Sequence, residues 1–264
     1  MDGSKSKCRE EPYAPIEGVR SSRHLAKGKL CNKFLKIRFY RIRVKRRKMN
    51  IYLLTLLKDK WDCEEELLAQ YVSEERRKRC QKYKFDKDRL LCLYAELLLR
   101  YVLIKEFSVS GETAEIGISN YGKPYLISEK EIYFNYSHTY NTILLAISDK
   151  NAVGVDIEYI EDRAPLDIMD VLYNDSEIDY IMNAKDMLDR KHRFYEIWTK
   201  KEAYTKKEGV GLVHQDIKSI NVLDQTIKEQ TISWIENTCM CSVNFGTDYK
   251  YKIVRLSNKD IEFI

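Results

Sequence analysis

Residues 151–162 read NAVGVDIEYIED, a run of β-branched and apolar residues with two acids set into it at Asp156 and Glu158. Side chains two apart on a strand share a face, so a strand here places both carboxylates side by side. Like charges at that separation repel, which leaves three readings open: a solvated strand face, an acid/base pair, or a site where a hard cation such as Mg²⁺ offsets the charge while keeping several waters. The chain on either side decides among them.

Around this stretch, AEIGISN (114–120), IYFNYS (132–137), TILLAIS (142–148) and AVGVDIEYI (152–160) are short β segments joined by turns containing Gly, Asn or Asp, and are expected to form one antiparallel sheet. Before them, NIYLLTLL (50–57) reads as a buried strand and DCEEELLAQYV (62–72) as a short helix with acids in its first turn. SEERRKRCQKY (73–83) continues as a basic helix with Ser73 at its N-cap. DKDRLLCLYAELLLRYVLIKEF (86–107) repeats leucine at helical spacing. After them come two short helices, PLDIMDVLY (165–173) and DSEIDYIMNA (175–184), the latter capped by Asp175 or Ser176. A long helix over residues 186–208 is stopped by Gly209. Four strand-like runs from DIKSINVL (216–223) to YKIVRL (251–256) complete the chain. Two successive helix-plus-strand units thus meet near residue 152, with no residue-level repeat between them.

The 264 residues, 44% apolar and 33% charged, suffice for one good-sized core or two small ones. No apolar run approaches the roughly 18 residues that span a bilayer. MDGSKSKCREEPY at the start lacks the apolar segment of a signal peptide, so a cytoplasmic location is expected. Seven scattered cysteines without a C-x-x-C read as reduced thiols, implying neither a disulfide framework nor a zinc site. The net charge of +5 is unevenly placed: residues 1–48 hold 16 Lys+Arg against 4 Asp+Glu, leaving 30 against 37 for residues 49–264. A nucleic-acid reading therefore rests on the leader, chiefly KIRFYRIRVKRRK (36–48), because the body has no basic surplus to track a phosphate backbone.

In the long helix, Trp198, Glu202 and Lys206 follow at i, i+4, i+8 and stack on one stripe. On a surface helix such a Glu and Lys form a solvated ion pair worth a few tenths of a kcal/mol. His138, in FNYSHT (134–139), ends a strand at a turn, where it can be a polar turn filler.

Taken in order, YGKPYL (121–126), FNYSH (134–138), GVDIE (154–158) and WTKKEAYTKKEGVGL (198–212) closely resemble the signatures of the Sfp-type 4′-phosphopantetheinyl transferases, over about residues 49–264. The resemblance implies an α+β fold: a pseudo-dimer of two similar helix-plus-antiparallel-sheet units, 49–151 and 152–264, in a monomer with internal pseudo-twofold symmetry. It implies transfer of the phosphopantetheine arm of coenzyme A to a serine of an apo acyl or peptidyl carrier protein, releasing 3′,5′-ADP. Asp156 and Glu158 would then bind Mg²⁺, with Glu202 as third ligand, as general base, or as both through a water. Lys206 would contact the pyrophosphate, and Ser137 and His138 the phosphate oxygens. Tyr121, Gly122, Lys123 and Pro124 would form a turn against the adenine edge, with Lys123 reaching the 3′-phosphate. Arg76 and Arg79 stand where the family carries two nucleotide-binding lysines, and Cys92 where it carries a small hydroxyl residue. Neither membrane nor nucleic acid is an expected partner, and RRKRCQKYK (76–84) offers a basic surface to an acidic carrier helix.

The competing reading is a basic-armed nucleic-acid or scaffold protein whose acids decorate its surface. The enzyme requires Asp156, Glu158, Glu202 and Lys206 to converge in one pocket, whereas a binding module scatters them. The leader 1–48 is expected not to belong to the enzyme, since the resemblance begins at MNIYLL and KRRK before Met49 is what a purine-rich ribosome-binding sequence encodes when read in frame. A chain beginning at Met49 is therefore expected to melt as the full chain does and to keep its transfer activity, while losing salt-sensitive polyanion binding. Unfolding or loss of transfer in that shorter chain would make the leader part of the first unit.

Overall fold

The computed structural model of the chain describes residues 49–109, 114–209, 216–246 and 250–261; the leader 1–48 and its expected basic arm lie outside them. The first half runs β1 (Met49–Thr55), α1 (Cys63–Leu68), α2 (Glu74–Lys82), α3 (Asp86–Phe107), β2 (Glu115–Ile118), β3 (Pro124–Ile127), β4 (Tyr133–Thr139) and β5 (Thr142–Ser148). The second half runs β6 (Gly154–Tyr159), α4 (Met169–Leu172), α5 (Asp175–Met182), α6 (Met187–Glu208), α7 (Gln225–Glu229), β7 (Thr231–Glu236), β8 (Cys239–Asn244) and β9 (Tyr251–Ser257).

The expected single antiparallel sheet is divided among three. β4 and β5 lie in a four-stranded sheet of order β4-β5-β1-β9, β2 pairs only with β3, and β6 belongs to a three-stranded sheet of order β6-β8-β7. The division occurs because β4 and β6 meet edge to edge through side chains instead of a backbone ladder. The Asn135 amide oxygen accepts from Val155 N–H at 2.8 Å, and the Thr139 hydroxyl from Tyr159 N–H at 3.4 Å. These bonds satisfy edge donors that would otherwise need a strand partner. The pairing is also not wholly antiparallel, since β9 returns from the second half to lie parallel to β1. Within the two larger sheets, β4-β5-β1 and β7-β8-β6 repeat one strand order, and each half carries a 22-residue helix.

Strand alternation sets the layers. On β1, Tyr52 and Leu54 face the leucines of α3, whereas Ile51 and Leu53 face Val155 and Ile157 of β6 and Cys241 and Val243 of β8. The far face of β6-β8-β7 receives α6, where Met240 packs with Phe194 and Ile197. The order is thus α3, first sheet, second sheet, α6. Ser73 caps α2 as expected, its hydroxyl accepting from Arg76 N–H at 3.2 Å, and Gly209 ends α6 at φ 75°.

Two local expectations are corrected. Asn174, not Asp175 or Ser176, caps α5, in a reciprocal box with Glu177. The tail holds three strands and not four: residues 217–219 form a 3-10 turn, because the carbonyls of Ile217 and Ile220 are taken by the buried Lys201 ammonium and are unavailable to a ladder.

Gly154 determines how near α6 comes. It shares the α6-facing side of β6 with Asp156 and Glu158, and a Cβ placed on it would lie 1.9 Å from the Ala203 carbonyl oxygen and 2.3 Å from Lys207 N. Only a residue without a side chain lets helix and strand touch there. Gly154→Ala is expected to push α6 outward and cost about 1–3 kcal/mol, the usual penalty of overpacking. A thermal melt checks this, and an unchanged midpoint would show that α6 can shift freely.

Candidate active site

The close approach at Gly154 brings the acids of β6 against the stripe on α6. Lys206 Nζ donates to Asp156 Oδ1 at 2.5 Å and to Ser137 Oγ at 3.2 Å, and lies 3.8 Å from Glu202 Oε2. Ser137 donates to the same Asp156 oxygen at 3.0 Å, and Trp198 Nε1 to Glu158 Oε1 at 3.2 Å. Glu202 is only 7% exposed and Asp156 2%, so the surface ion pair that helical spacing allows is instead part of a buried junction. Asp156, Glu202 and Lys206 thus lie together, with Glu158 near enough to feel the charges of Asp156 and Lys206.

Charge in this junction is poorly matched. Burial, with Asp156 and then Glu158 nearby, pushes the Glu202 carboxyl up to about 7, and burial and Asp156 raise Glu158 as well. Burial works against the Lys206 ammonium, but Asp156 and Glu202 more than offset it and hold its pKa above the ordinary lysine value. Asp156 Oδ2 and Glu202 Oε1 are buried without any hydrogen-bond partner. Two orphaned carboxylate oxygens beside a third acid are a donor set suited to Mg²⁺, which prefers oxygen ligands and few of them from protein. Among the described residues, the acids whose ligand atoms lie within 4.8 Å of one another are Asp62, Glu64 and Glu65, all three bridged by the Lys58 ammonium. Asp156, Glu158 and Glu202 stand further apart, with Lys206 among them.

A cationic edge flanks the acids. The His138 pKa is lowered, first by burial and then by the positive charges of Arg79, Arg76 and Lys206. Arg79 is exposed on α2. Arg76 is not free for a ligand: its Nε lies 3.2 Å from Glu96 Oε2, its Nη1 donates to the Cys92 carbonyl at 3.4 Å, and its Nη2 bonds the Tyr136 hydroxyl. Glu96 also takes Arg100 and the Ser73 amide, so Arg76 clamps α2 onto α3. Tyr121, Gly122, Lys123 and Pro124 stand apart from the acids, in a turn beside a cavity of about 200 Å³ that Lys207 and Gly209 close from the end of α6.

Comparison with known proteins matches residues 59–150 to the profile described as 4′-phosphopantetheinyl transferase, N-terminal, and residues 152–254 to the 4′-phosphopantetheinyl transferase superfamily. The chain belongs to this superfamily. It is 28% identical over 149 residues to the 4′-phosphopantetheinyl transferase Sfp of Bacillus subtilis, a match covering 56% of this chain and 65% of that protein. It is 33% identical over 146 residues to the 4′-phosphopantetheinyl transferase gsp of Aneurinibacillus migulanus, covering 55% and 59%. The L-aminoadipate-semialdehyde dehydrogenase-phosphopantetheinyl transferase of Candida glabrata is 29% identical over 174 residues, covering 64% and 66%. The matched stretch thus spans just under two thirds of these relatives. No helix among the described residues is long and apolar enough to cross a membrane.

Sequence reading missed Asn135 and Thr139, which with Ser137 line one side of β4 and bind β6 to it. Polar residues alternating at 135, 137 and 139 were the available signal. Trp198 packs against the core beneath α6 and at the same time donates its indole N–H to Glu158.

The raised Glu202 has a measurable consequence. Between the ordinary carboxylate value and about 7, the folded chain keeps a proton there that the unfolded chain has released, so stability is greatest below this window and falls as pH rises through it. In metal-free buffer, wild type is expected to lose on the order of 1–3 kcal/mol more than Glu202→Gln between about pH 5 and pH 7.5. Parallel stability curves for the two proteins would show that Glu202 does not carry the strain.

Proposed function

We propose that the chain transfers the phosphopantetheine arm of coenzyme A to a serine hydroxyl of an apo acyl or peptidyl carrier protein, releasing 3′,5′-ADP, with Mg²⁺ in the junction of β6 and α6. The observation that carries this reading is the pair of buried, unpartnered carboxylate oxygens on Asp156 and Glu202, beside the Lys206 ammonium. Superfamily membership and the transferase activity by which the relatives are named support the reaction class. The repeated strand order supports reading the halves 49–151 and 152–264 as a pseudo-dimer.

In this reading Asp156, Glu158 and Glu202 hold the ion, whose contribution is to neutralise charge on the pyrophosphate. The carrier serine oxygen attacks the phosphorus that bears pantetheine, and the bond from that phosphorus to the bridging oxygen of the 3′,5′-ADP group breaks. Glu202, beside the ion, accepts the serine proton directly or through a water. Lys206 is suited to stabilising the negative charge that grows on the leaving oxygen, and Ser137 fixes the Asp156 carboxylate that faces it. His138 is suited to donating to a phosphate oxygen, with Arg79 supplying charge at the same edge. Convergence of the acids favours this reading over a basic-armed scaffold, whose arm falls in residues 1–48.

Incubating the protein with coenzyme A, Mg²⁺ and candidate apo carriers, then weighing the carriers by mass spectrometry, tests the function. Asp156→Ala and Glu158→Ala are expected to lower the rate by about a hundredfold or more with the fold intact. Glu202→Gln should keep coenzyme A affinity better than turnover, and Lys206→Ala should lower both. Full activity of Asp156→Ala and Glu158→Ala at ordinary Mg²⁺ would remove the metal assignment.

A further inference from the structure

The sequence resemblance sends the Lys123 ammonium to a 3′-phosphate, but its bonds lie elsewhere. Lys123 Nζ donates to the Lys207 carbonyl oxygen at 3.0 Å and to the Val153 carbonyl oxygen at 3.3 Å. Lys207 is in the last turn of α6, where carbonyls lack intrahelical partners and the helix dipole is negative, so a cation there is doubly favoured. Val153 lies in the connection between β5 and β6. One side chain of the first half therefore grips both the end of α6 and the segment leading into the acid-bearing strand.

The anchored element needs such a grip. β2 and β3 form a two-stranded sheet on their own, and an isolated hairpin is marginal in water. Leu126 is buried and Ile116 packs against the first core, while Ile118, Tyr125 and Ile127 stay exposed. The turn is closed on itself by Ser119 N to the Lys123 carbonyl at 2.9 Å and Lys123 N to Ser119 Oγ at 3.0 Å, with Gly122 at φ 82°. That closure aims the Lys123 stem at α6, where it runs beside Gly209. Burial brings the Lys123 pKa down to about 8, consistent with an ammonium withdrawn from water.

We propose that Lys123 is a positioning residue: it clasps the β2–β3 hairpin to the C-terminal end of α6 and so holds open the 200 Å³ cavity between them, without being a ligand to the 3′-phosphate. The role in binding rests on reading that cavity as the nucleotide end of the coenzyme A site; the clasp itself does not.

Two measurements on the full chain test this. In ligand-free hydrogen exchange, Lys123→Met is expected to speed exchange across residues 115–127 by about tenfold or more, the loss of two charge-assisted hydrogen bonds, and Lys123→Arg to restore much of the protection. In titrations with coenzyme A and with 3′-dephospho-coenzyme A, Lys123→Met is expected to weaken both by a similar factor, again with recovery in Lys123→Arg. Unchanged exchange in Lys123→Met, or weakening confined to coenzyme A, would overturn the proposal. If wild type binds neither compound, the functional reading of the cavity fails while the exchange result still judges the clasp.

Discussion

Three carboxylates brought into one junction, two of them buried, cannot all be charged without a cation among them, and much of the second half of the molecule is arranged around that constraint. Lys206 supplies part of the compensation, with its ammonium on Asp156 Oδ1 and within reach of Glu202. One positive charge against three acids is not enough, as the raised pKa of Glu202 and of Glu158 records. The partnerless oxygens of Asp156 and Glu202 mark where the remaining deficit lies. A fold optimised for stability alone would not keep them.

The junction depends on two devices, one steric and one polar. Gly154 removes the one side chain that would hold α6 away from β6, and the polar side of β4 fastens β6 through Asn135, Ser137 and Thr139. Ser137 thus takes part both in joining the two sheets and in orienting the acid that faces Lys206. On the opposite side of α6, Lys201 is fully buried against Glu177 at 2.7 Å and two carbonyls of the 217–220 segment. Lys201 and Lys206, on the same helix, therefore have separate tasks, one fixing the helix in its core and one facing the acids.

Most of the element order was legible because it follows from side-chain period and caps. The leucines of α3, the acid-rich first turn of α1, Ser73 and Gly209 all act where local rules place them. What was not legible is how strands distribute among sheets. An alternating strand shows which face is apolar but not whether its edge is met by a backbone ladder or by amide and hydroxyl side chains, and β4 and β6 use the latter. The residues 216–223 carry apolar alternation suited to a strand, yet a buried lysine one helix away claims their carbonyls. At the site, period alone aligned Asp156 with Glu158 and Trp198 with Glu202 and Lys206. That they meet depended on Gly154, whose importance is steric and visible only once α6 is in place. Arg76 and Lys123 illustrate the converse: residues matched to ligand positions by motif are engaged by Glu96, Tyr136 and backbone carbonyls instead.

The central claim is that the β6–α6 junction is a divalent-cation site completed by the chain's own acids. An electron-paramagnetic-resonance titration with Mn²⁺, in the presence of coenzyme A, reads this directly. The account predicts one tightly bound ion per chain, displaced by Mg²⁺ and lost when Asp156→Asn and Glu202→Gln are combined. Retention of that bound ion in the double variant, or its complete absence in wild type, would contradict it.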